Sequence, residues 1–313
     1  MTSPPSSNAQ RPAKIVRTVD GLLILDKPIG LTSNKALQQV KHLLHAAKAG
    51  HTGALDPLAS GVLPLCFGEA TKISQFLLDS AKVYRARIKL GVATTTGDSE
   101  GDIVATSAVP EFSAEQIEAV LKTFRGVITQ QPSIYSALKQ NGVPLYKLAR
   151  SGKHIEPKFR DVTIQSLTLL SHEGCDLEID VSCSKGTYIR TLAEDIGKTL
   201  GTGAHITMLR RLKAGPFALA ASMTMAQMVA LAAEGVLETK LIAPDQAIKD
   251  LPSVQLNAEQ TRCLRQGKTV TMAGSLPLPD VRVYCADEFI GLAELGEGGM
   301  LQAKRLLKYG SLD

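Results

Sequence analysis

Side-chain alternation over residues 83–90 is the feature that most constrains the fold. Apolar and charged residues take turns along this segment: Tyr84, Ala86, Ile88 and Leu90 on one face, Arg85, Arg87 and Lys89 on the other. Period-two alternation is typical of a strand with one face on a core and one in water. Residues 177–183 alternate in the same way, so the sequence predicts a sheet with a solvated face.

Helices are predicted between such strands. Thr32, Ser33 and Asn34 precede apolar residues at helical spacing over 36–44, and Ser113 with Gln116 forms a capping-box pattern ahead of another amphipathic segment. A third helix is predicted from about Thr187, and residues 222–249 also have helical character. Residues 22–25 predict a short strand, whereas residues 50–72 show no clear period. Strands and helices without βαβ regularity indicate an α+β fold.

Charge is distributed unevenly along the 313 residues, whose formal net charge is +5. Residues 1–90 hold 12 Lys and Arg against 5 Asp and Glu, and residues 131–160 hold 6 against 1. Basic blocks suit a polyanionic partner, although a solubilising surface accounts for them equally well. The five scattered cysteines form no CxxC pair and have no zinc-ligand spacing. This pattern fits a protein of the reducing cytoplasm and predicts no metal site.

Composition divides the chain into segments. Residues 1–19 are rich in Ser, Pro and basic side chains, which predicts a disordered basic tail without a signal peptide. Residues 131–160 are polar, basic and interrupted by Gly, and they are interpreted as an excursion from the core. A boundary is predicted near residue 250, because short strand-like runs separated by Gly and Pro follow it. No apolar run is long enough to span a membrane.

Asp56 is the most informative carboxylate. It lies in an apolar, Gly-flanked stretch, His51-Thr-Gly-Ala-Leu-Asp-Pro-Leu-Ala-Ser-Gly61. An anion in such surroundings is poorly solvated and must find a cation or take up a proton. An Asp that starts a turn before Pro is the ordinary structural alternative.

The stretch Gly50–Gly61 resembles the catalytic loop of the TruB family, the bacterial tRNA pseudouridine-55 synthases. Further blocks resemble the same family, in order along residues 22–217: Leu25–Pro28, Gly68–Lys72, Tyr84 in its strand, Ser133–Lys139, Cys183–Arg190 and Leu209–Leu212. Several ordered blocks make a chance match implausible, and the matching catalytic positions show no departure from the family pattern.

The resemblance implies a pseudouridine-synthase core over 20–250 with a mixed, mainly antiparallel sheet. It also implies an RNA-gripping insertion at about 131–160 and a small β-rich, PUA-like RNA-binding domain over 251–313. The implied activity isomerises uridine to pseudouridine at position 55, in the T-arm of tRNA. No cofactor is needed, since no atoms are gained or lost. A cytoplasmic monomer that requires no protein partner is expected.

The resemblance also implies roles for individual residues. Three are expected to be catalytic: Asp56, Tyr84 and Arg190. Five are expected to bind substrate: His51, Tyr188, Leu209, Lys27 and Lys72. Basic residues of the insertion would contact phosphates: Lys139, Lys147, Arg150, Lys153 and Lys158. Without the resemblance, ordinary roles account for all of them, such as a core tyrosine at position 84 or a helix-surface pair of Arg190 with Glu194.

The expected chemistry places Asp56 against the sugar, because cleavage of a glycosidic bond develops positive charge at C1′. Whether Asp56 attacks C1′ or first acts as a base on the ribose stays open. A bidentate pair with Arg190 is expected to aim the carboxylate and lower its pKa. Tyr84 is expected to stack on a flipped uracil with its phenol near the C5 proton, while His51 fills the space left in the RNA.

Three other functions compete with this hypothesis. A guide-RNA-dependent relative of the family would share the Asp56 loop but generally lacks the gripping insertion. An RNA-binding or tRNA-folding protein would need no turnover. A glycoside hydrolase would need a second carboxylate near Asp56, and no motif indicates one.

Overall fold

A computed structural model describes residues 16–135, 139–140, 142–145, 148, 151, 157–272 and 279–308. Residues 1–15 of the predicted disordered tail lie outside this range, whereas residues 16–19 are described: Arg17 forms a β-bridge with Ala46, and Val19 is buried. Six α-helices are present in the described part of the chain: α1 (Ser33–Leu43), α2 (Ser74–Asp79), α3 (Ala114–Thr123), α4 (Ile189–Thr199), α5 (Met225–Ala233) and α6 (Ala258–Arg265). None of them is both long and apolar enough to cross a membrane.

The strands fall into two large groups and two small hairpins. The larger, N-terminal region contains β1 (Gly21–Lys27), β2 (Ala49–His51), β3 (Ala59–Phe67), β4 (Lys82–Leu90), β5 (Val92–Thr94), β6 (Ile103–Thr106), β7 (Gly126–Gln130), β8 (Lys139–Gln140), β9 (Val143–Pro144), β10 (Arg160–Glu173), β11 (Asp176–Cys183), β12 (Ala204–Ala214), β13 (Phe217–Ala218) and β14 (Met223–Thr224). The C-terminal region contains β15 (Ser253–Leu256), β16 (Val270–Thr271), β17 (Asp280–Cys285), β18 (Glu288–Leu295) and β19 (Met300–Leu306).

A ten-stranded mixed sheet forms the centre of the molecule. Its main path runs β14-β1-β3-β12-β4-β11-β10-β7, with β2 paired to β3 and β13 to β12. Among the described strand pairs of this sheet, only β1–β14 and β3–β12 are parallel. The prediction of an α+β fold with a mainly antiparallel sheet is therefore confirmed.

Helices cover the sheet and create its cores. Helices α3 and α4 pack on the β4–β11 region through buried residues that include Ile117, Leu192 and Ile196. Helix α1 and Met228 of α5 cover one face of β1 and β3, while Ile73 and Leu77 cover the other. The alternation predicted for β4 is confirmed, since Ala86, Ile88 and Leu90 are buried and the charged face is bridged to β11.

Strand β3 was not predicted, and burial explains why. All nine of its residues are buried, because apolar elements cover both faces of the sheet at this point. A strand buried on both faces has no polar alternate positions, so the period-two pattern disappears. The helix predicted from about Thr187 begins at Ile189, and only Met225–Ala233 of the helical stretch 222–249 forms an α-helix.

The C-terminal residues form a separate five-stranded sheet, in the order β15-β17-β18-β19-β16, with α6 packed against it. Polar contacts join this sheet to the 3-10 helix Gly68–Ile73. Lys72 Nζ donates to Glu69 Oε2 at 2.6 Å and to the Leu306 carbonyl oxygen at 2.8 Å. The backbone N–H of Lys308 donates to Glu69 Oε2 at 2.5 Å. The Gly68–Lys72 motif thus anchors the C-terminal domain beside the central sheet.

Candidate active site

A cavity of about 390 Å³ opens where the Asp56 loop meets the central strands. Its volume lies in the range of small-ligand sites. Five of the sequence-predicted residues line it: Asp56, Tyr84, Tyr188, Arg190 and Leu209. The fold therefore brings together side chains that are up to 153 positions apart in the chain.

Short hydrogen bonds hold the Asp56 loop from both sides. Ser33, the first residue of α1, accepts from the Leu55 N–H at 2.7 Å and donates to the Leu55 carbonyl oxygen at 3.1 Å. The Gly30 N–H donates to the Pro57 carbonyl oxygen at 2.8 Å. Because both neighbours of Asp56 are fixed, its carboxylate is directed by the backbone rather than by a flexible loop.

Arg190 is buried between two carboxylates. Its Nη2 lies 3.1 Å from Asp56 Oδ2, and its Nη1 lies 3.3 Å from Asp98 Oδ2. Nη1 also donates to the Thr96 carbonyl oxygen at 3.0 Å, and Nη2 to the Tyr135 carbonyl oxygen at 3.3 Å. One guanidinium thus orients Asp56 while it compensates the buried charge of Asp98.

This arrangement corrects two expectations about the ion pair. The pair with Asp56 is not bidentate, because Asp98 takes the second side of the Arg190 guanidinium. The net pKa shift of Asp56 is upward rather than downward. Burial raises the pKa of Asp56, Arg190 opposes the rise, and Asp98 adds to it. The helix-surface alternative also fails, since the Arg190 side chain is 7% exposed and turns toward Asp56.

Tyr84 lies on β4 with its phenol at the cavity. Arg211 on β12 is its direct partner in the antiparallel register. Burial raises the pKa of Tyr84, and the guanidinium of Arg211 beside it opposes that rise. The phenol is therefore a neutral hydroxyl, since burial outweighs the neighbouring guanidinium of Arg211.

Tyr188 is fixed by two residues that flank the insertion. Gln130 accepts from the Tyr188 N–H at 3.0 Å and donates to the Tyr188 carbonyl oxygen at 3.3 Å. The Arg160 guanidinium stacks on the Tyr188 ring, 4.8 Å from its centroid. Gln130 and Arg160 are themselves cross-strand partners. The two ends of the insertion therefore contact Tyr188, the residue that precedes α4.

Two predicted lysines lie away from the cavity lining. Lys27 is fully buried and donates to the carbonyl oxygens of Pro28 at 2.8 Å and Leu31 at 2.7 Å. Burial lowers the pKa of Lys27 to about 8. Lys72 anchors the C-terminal domain instead. Each ammonium makes two hydrogen bonds to protein acceptors, and a role for either lysine in substrate binding stays a prediction.

His51 lies at the end of β2, on the approach to the Asp56 loop. Burial lowers its pKa, with Arg211 as a second cause, which favours a neutral imidazole. A neutral ring suits the stacking role that the resemblance implies. Of the basic residues in the insertion, Lys147, Arg150 and Lys153 fall outside the described residues, whereas Lys139 begins the short strand β8 and Lys158 is exposed.

Asp98 is a functional candidate that sequence reasoning missed. It is 2% exposed, and its Oδ1 accepts from the Thr96 hydroxyl at 2.5 Å and the Glu100 N–H at 3.1 Å. The stretch Thr94-Thr-Thr-Gly-Asp98 contained the available signal, since several hydroxyls beside one Asp indicate a carboxylate fixed by its own loop. No group of His, Cys, Asp and Glu in the described part of the chain has the arrangement of a metal site.

Family models match almost the whole chain. The model described as "TruB family pseudouridylate synthase (N terminal domain)" matches residues 41–189. The model "tRNA pseudouridylate synthase B C-terminal domain" matches residues 190–251, and "Pseudouridine synthase II TruB, C-terminal" matches residues 252–307. Together the three models cover residues 41–307, which include most of the central sheet and the five-stranded domain.

Individual proteins agree with the family models. The chain is 49% identical over 302 residues to the tRNA pseudouridine synthase B of Ectopseudomonas mendocina, covering 95% of this chain and 98% of that one. It is 48% identical over 296 residues to the enzyme of the same name from Chromohalobacter salexigens, covering 94% and 96%.

Solved structures give the same result for the fold. A chain in the crystal structure of a Cbf5-Nop10-Gar1 complex matches with a TM-score of 0.70 and 27% identity, covering 89% of this chain and 79% of that one. A chain of an H/ACA RNP bound to a substrate RNA containing 2'-deoxyuridine matches with a TM-score of 0.71 and 25% identity, covering 92% and 85%. The chain belongs to the TruB family of pseudouridine synthases, the isomerases that convert uridine to pseudouridine in tRNA.

Proposed function

We propose that this enzyme acts on the uridine at position 55, in the T-arm of tRNA, and that Asp56 is its catalytic carboxylate. The observation that carries the proposal is the contact of Asp56 with Arg190 at the wall of a cavity shared with Tyr84. The side chain of Asp56 keeps 45% of its surface accessible, whereas its partner Arg190 keeps 7%. Arg190 thus fixes one side of the carboxylate, while its other side is accessible to a substrate.

Cleavage of the C1′–N1 bond leaves positive charge on the ribose, which a carboxylate stabilises or captures. Arg190 and the two Leu55 hydrogen bonds to Ser33 support this role, because they fix the direction of the carboxylate before substrate arrives. Asp98 acts through Arg190 as a positioning residue. Attack on C1′ and removal of a ribose proton both remain compatible with this geometry.

The target uracil must leave the RNA stack to enter the cavity. Tyr84 is proposed to stack on the flipped base and to stand near the proton that leaves C5. Tyr188 and Leu209 are proposed as further walls, since both line the cavity. His51 is proposed to occupy the space left in the RNA, and its lowered pKa suits a stacked neutral ring.

Recognition of the T-arm is proposed for the insertion and the C-terminal domain. Basic residues of the insertion would contact phosphates. The link from Tyr135 to Arg190 supports a coupling between the RNA-gripping segment and the catalytic site. We assign residues 1–19 to a basic tail, 20–250 to the catalytic domain and 251–313 to a PUA-like domain that holds more of the tRNA.

The purified chain alone is proposed to act, as a cytoplasmic monomer without a protein partner, a guide RNA or a cofactor. The test is incubation of the lone protein with a T-arm hairpin, followed by mapping of pseudouridine through carbodiimide-induced stops in reverse transcription. A matched hairpin exchanges the target uridine with a neighbouring cytidine. Modification only in the first hairpin is expected.

Two outcomes would contradict the proposal. Modification in both hairpins would overturn position specificity, because a uridine at any loop position would then suffice. No modification by the lone protein, with activity restored by a guide RNA or a cell extract, would favour the guide-dependent alternative. Binding without turnover under every condition would favour a tRNA-folding role.

A further inference from the structure

Two buried cations line the cavity beside Tyr84. Arg211 on β12 is 1% exposed, and Lys82 on β4 is 6% exposed. Lys82 precedes Tyr84 by two positions, so both residues belong to the same face of the strand. Arg211 is the cross-strand partner of Tyr84. The cavity wall around the phenol is therefore cationic. These two cations are additional to Arg190, which faces Asp56.

Backbone carbonyls, rather than carboxylates, hold both cations. Arg211 Nε donates to the Val62 carbonyl oxygen at 2.6 Å, and its Nη2 to the Gly53 carbonyl oxygen at 3.1 Å. Lys82 Nζ donates to three carbonyl oxygens at the end of α2: Leu77 at 2.9 Å, Leu78 at 2.7 Å and Ser80 at 2.6 Å. Three acceptors around one nitrogen suit the protonated ammonium, which has three N–H donors.

Neither cation has a carboxylate partner within ion-pair distance among the described residues. Asp79 is the nearby acid, and Lys185 occupies it with an Nζ–Oδ1 distance of 2.9 Å. Arg190, by contrast, faces two carboxylates. Arg211 and Lys82 thus leave positive charge uncompensated at a buried surface, an arrangement that is costly unless a negative group arrives.

The isomerisation itself supplies a negative group. When the C1′–N1 bond breaks, its electron pair stays with uracil and spreads from N1 to O2 and O4, while the ribose becomes electron-deficient. The base then turns, C5 donates an electron pair to C1′, a proton leaves C5, and N1 takes up a proton. Atoms and charge balance, but between the two bond changes the base carries a full negative charge.

We propose that Arg211 and Lys82 stabilise the negative charge on uracil after the glycosidic bond breaks. The proposal rests on the function proposed above and extends it to the base side of the reaction. Asp56 acts on the electron-deficient sugar, while the two cations act on the electron-rich base. Because carbonyl groups already fix both cations, little reorganisation is needed as the charge appears.

Charge removal and charge-preserving substitution separate this role from a structural one. Arg211→Gln and Lys82→Gln remove a charge, whereas Arg211→Lys and Lys82→Arg keep it. We expect each neutral variant to slow the single-turnover release of tritium from uracil C5 by on the order of 10²-fold, as for the loss of one oxyanion-stabilising donor. The charge-preserving variants should lose less than about tenfold, and T-arm affinity should change little, because the charge develops only after binding.

A better leaving group gives a second readout. A T-arm with 5-fluorouridine at the target position yields a less basic anion, which needs less stabilisation. The defect of Arg211→Gln, measured as the disappearance of 5-fluorouridine from digested RNA, should shrink relative to its defect with uridine. A merely structural role predicts the same loss factor for both substrates. If Arg211→Gln does not fold, Lys82→Gln carries the same comparison.

The possible failures are distinguishable. An inactive wild-type protein on both substrates would overturn the proposed function itself. An active wild type in which the Gln and charge-preserving variants lose equal activity would overturn only this inference. Equal loss factors for uridine and 5-fluorouridine would do the same.

Discussion

Replacement of Arg190 by Met tests the buried ion network. The substitution removes the bonds from Nη2 to Asp56 at 3.1 Å and from Nη1 to Asp98 at 3.3 Å. Asp56 retains access to solvent, but Asp98 is 2% exposed. Among the described residues, the remaining partners of the Asp98 carboxylate are the Thr96 hydroxyl and the Glu100 N–H. Arg190→Met therefore leaves a buried carboxylate without a cation.

Removal of one partner from a buried ion pair costs about 3–5 kcal/mol of unfolding free energy. For a domain of this size, each kcal/mol corresponds to roughly 2–4 °C in Tm, so a fall of roughly 6–20 °C is expected. Urea and thermal unfolding followed by circular dichroism measure both quantities. Tryptophan fluorescence is unsuitable, because the chain contains no Trp.

The double variant Arg190→Met with Asp98→Asn is the matched control. It removes the orphaned charge, so it should be more stable than Arg190→Met alone, although both variants lose activity. A loss below about 1 kcal/mol in the single variant would refute the reasoning, since that is the range of an exposed pair. A double variant no more stable than the single one would equally refute it.

Three further predictions concern other parts of the fold. Burial lowers the pKa of Lys27 to about 8, so Lys27 should add up to about 3 kcal/mol to the unfolding free energy between pH 8 and 10.5, where the folded state binds fewer protons than the unfolded state. In urea titrations Lys27→Met should lack this contribution but keep that of Lys82, whose pKa is also lowered to about 8, and parallel pH curves for wild type and variant would contradict the prediction. Gly61 has a φ of 105°, and an added Cβ would meet the backbone of Arg211, so Gly61→Ala should lower the unfolding free energy by about 2–5 kcal/mol in the same urea titration. An unchanged urea midpoint would contradict this, because it would mean that β3 and β12 move apart at no cost. Lys72→Met removes the hydrogen bond to the Leu306 carbonyl oxygen, so proteolysis between the two domains should increase while the stability of the central sheet is unchanged. An unchanged cleavage rate would show that this contact does not hold the C-terminal domain.

Local patterns predicted the elements that carry a periodic signal. The β4 alternation gave the correct face for Tyr84, because one side of that strand is solvated and the other packs on α4. The capping box at Ser113 likewise marked the start of α3. Strand β3 was not predicted, because both of its faces are buried and only tertiary packing distinguishes it from other apolar runs.

The site was predicted less completely than the fold. Asp56, Tyr84 and Arg190 were accessible through their motifs, since each stands in a recognisable block. The sharing of Arg190 with Asp98 was not, because the two residues are 92 positions apart and only the folded sheet brings them together. The upward pKa shift of Asp56 was missed for a related reason: the sequence indicates a cation nearby but not how far burial outweighs it.

The most direct test of the account is the release of tritium from T-arm RNA labelled at the target uracil C5, measured for the wild type and for Asp56→Asn. Asp102→Asn, which changes an exposed carboxylate outside the cavity, is the matched control. The account predicts release by the wild type and Asp102→Asn, and none above background by Asp56→Asn, with RNA binding retained in all three. Undiminished release by Asp56→Asn would contradict the central claim that this carboxylate carries the reaction.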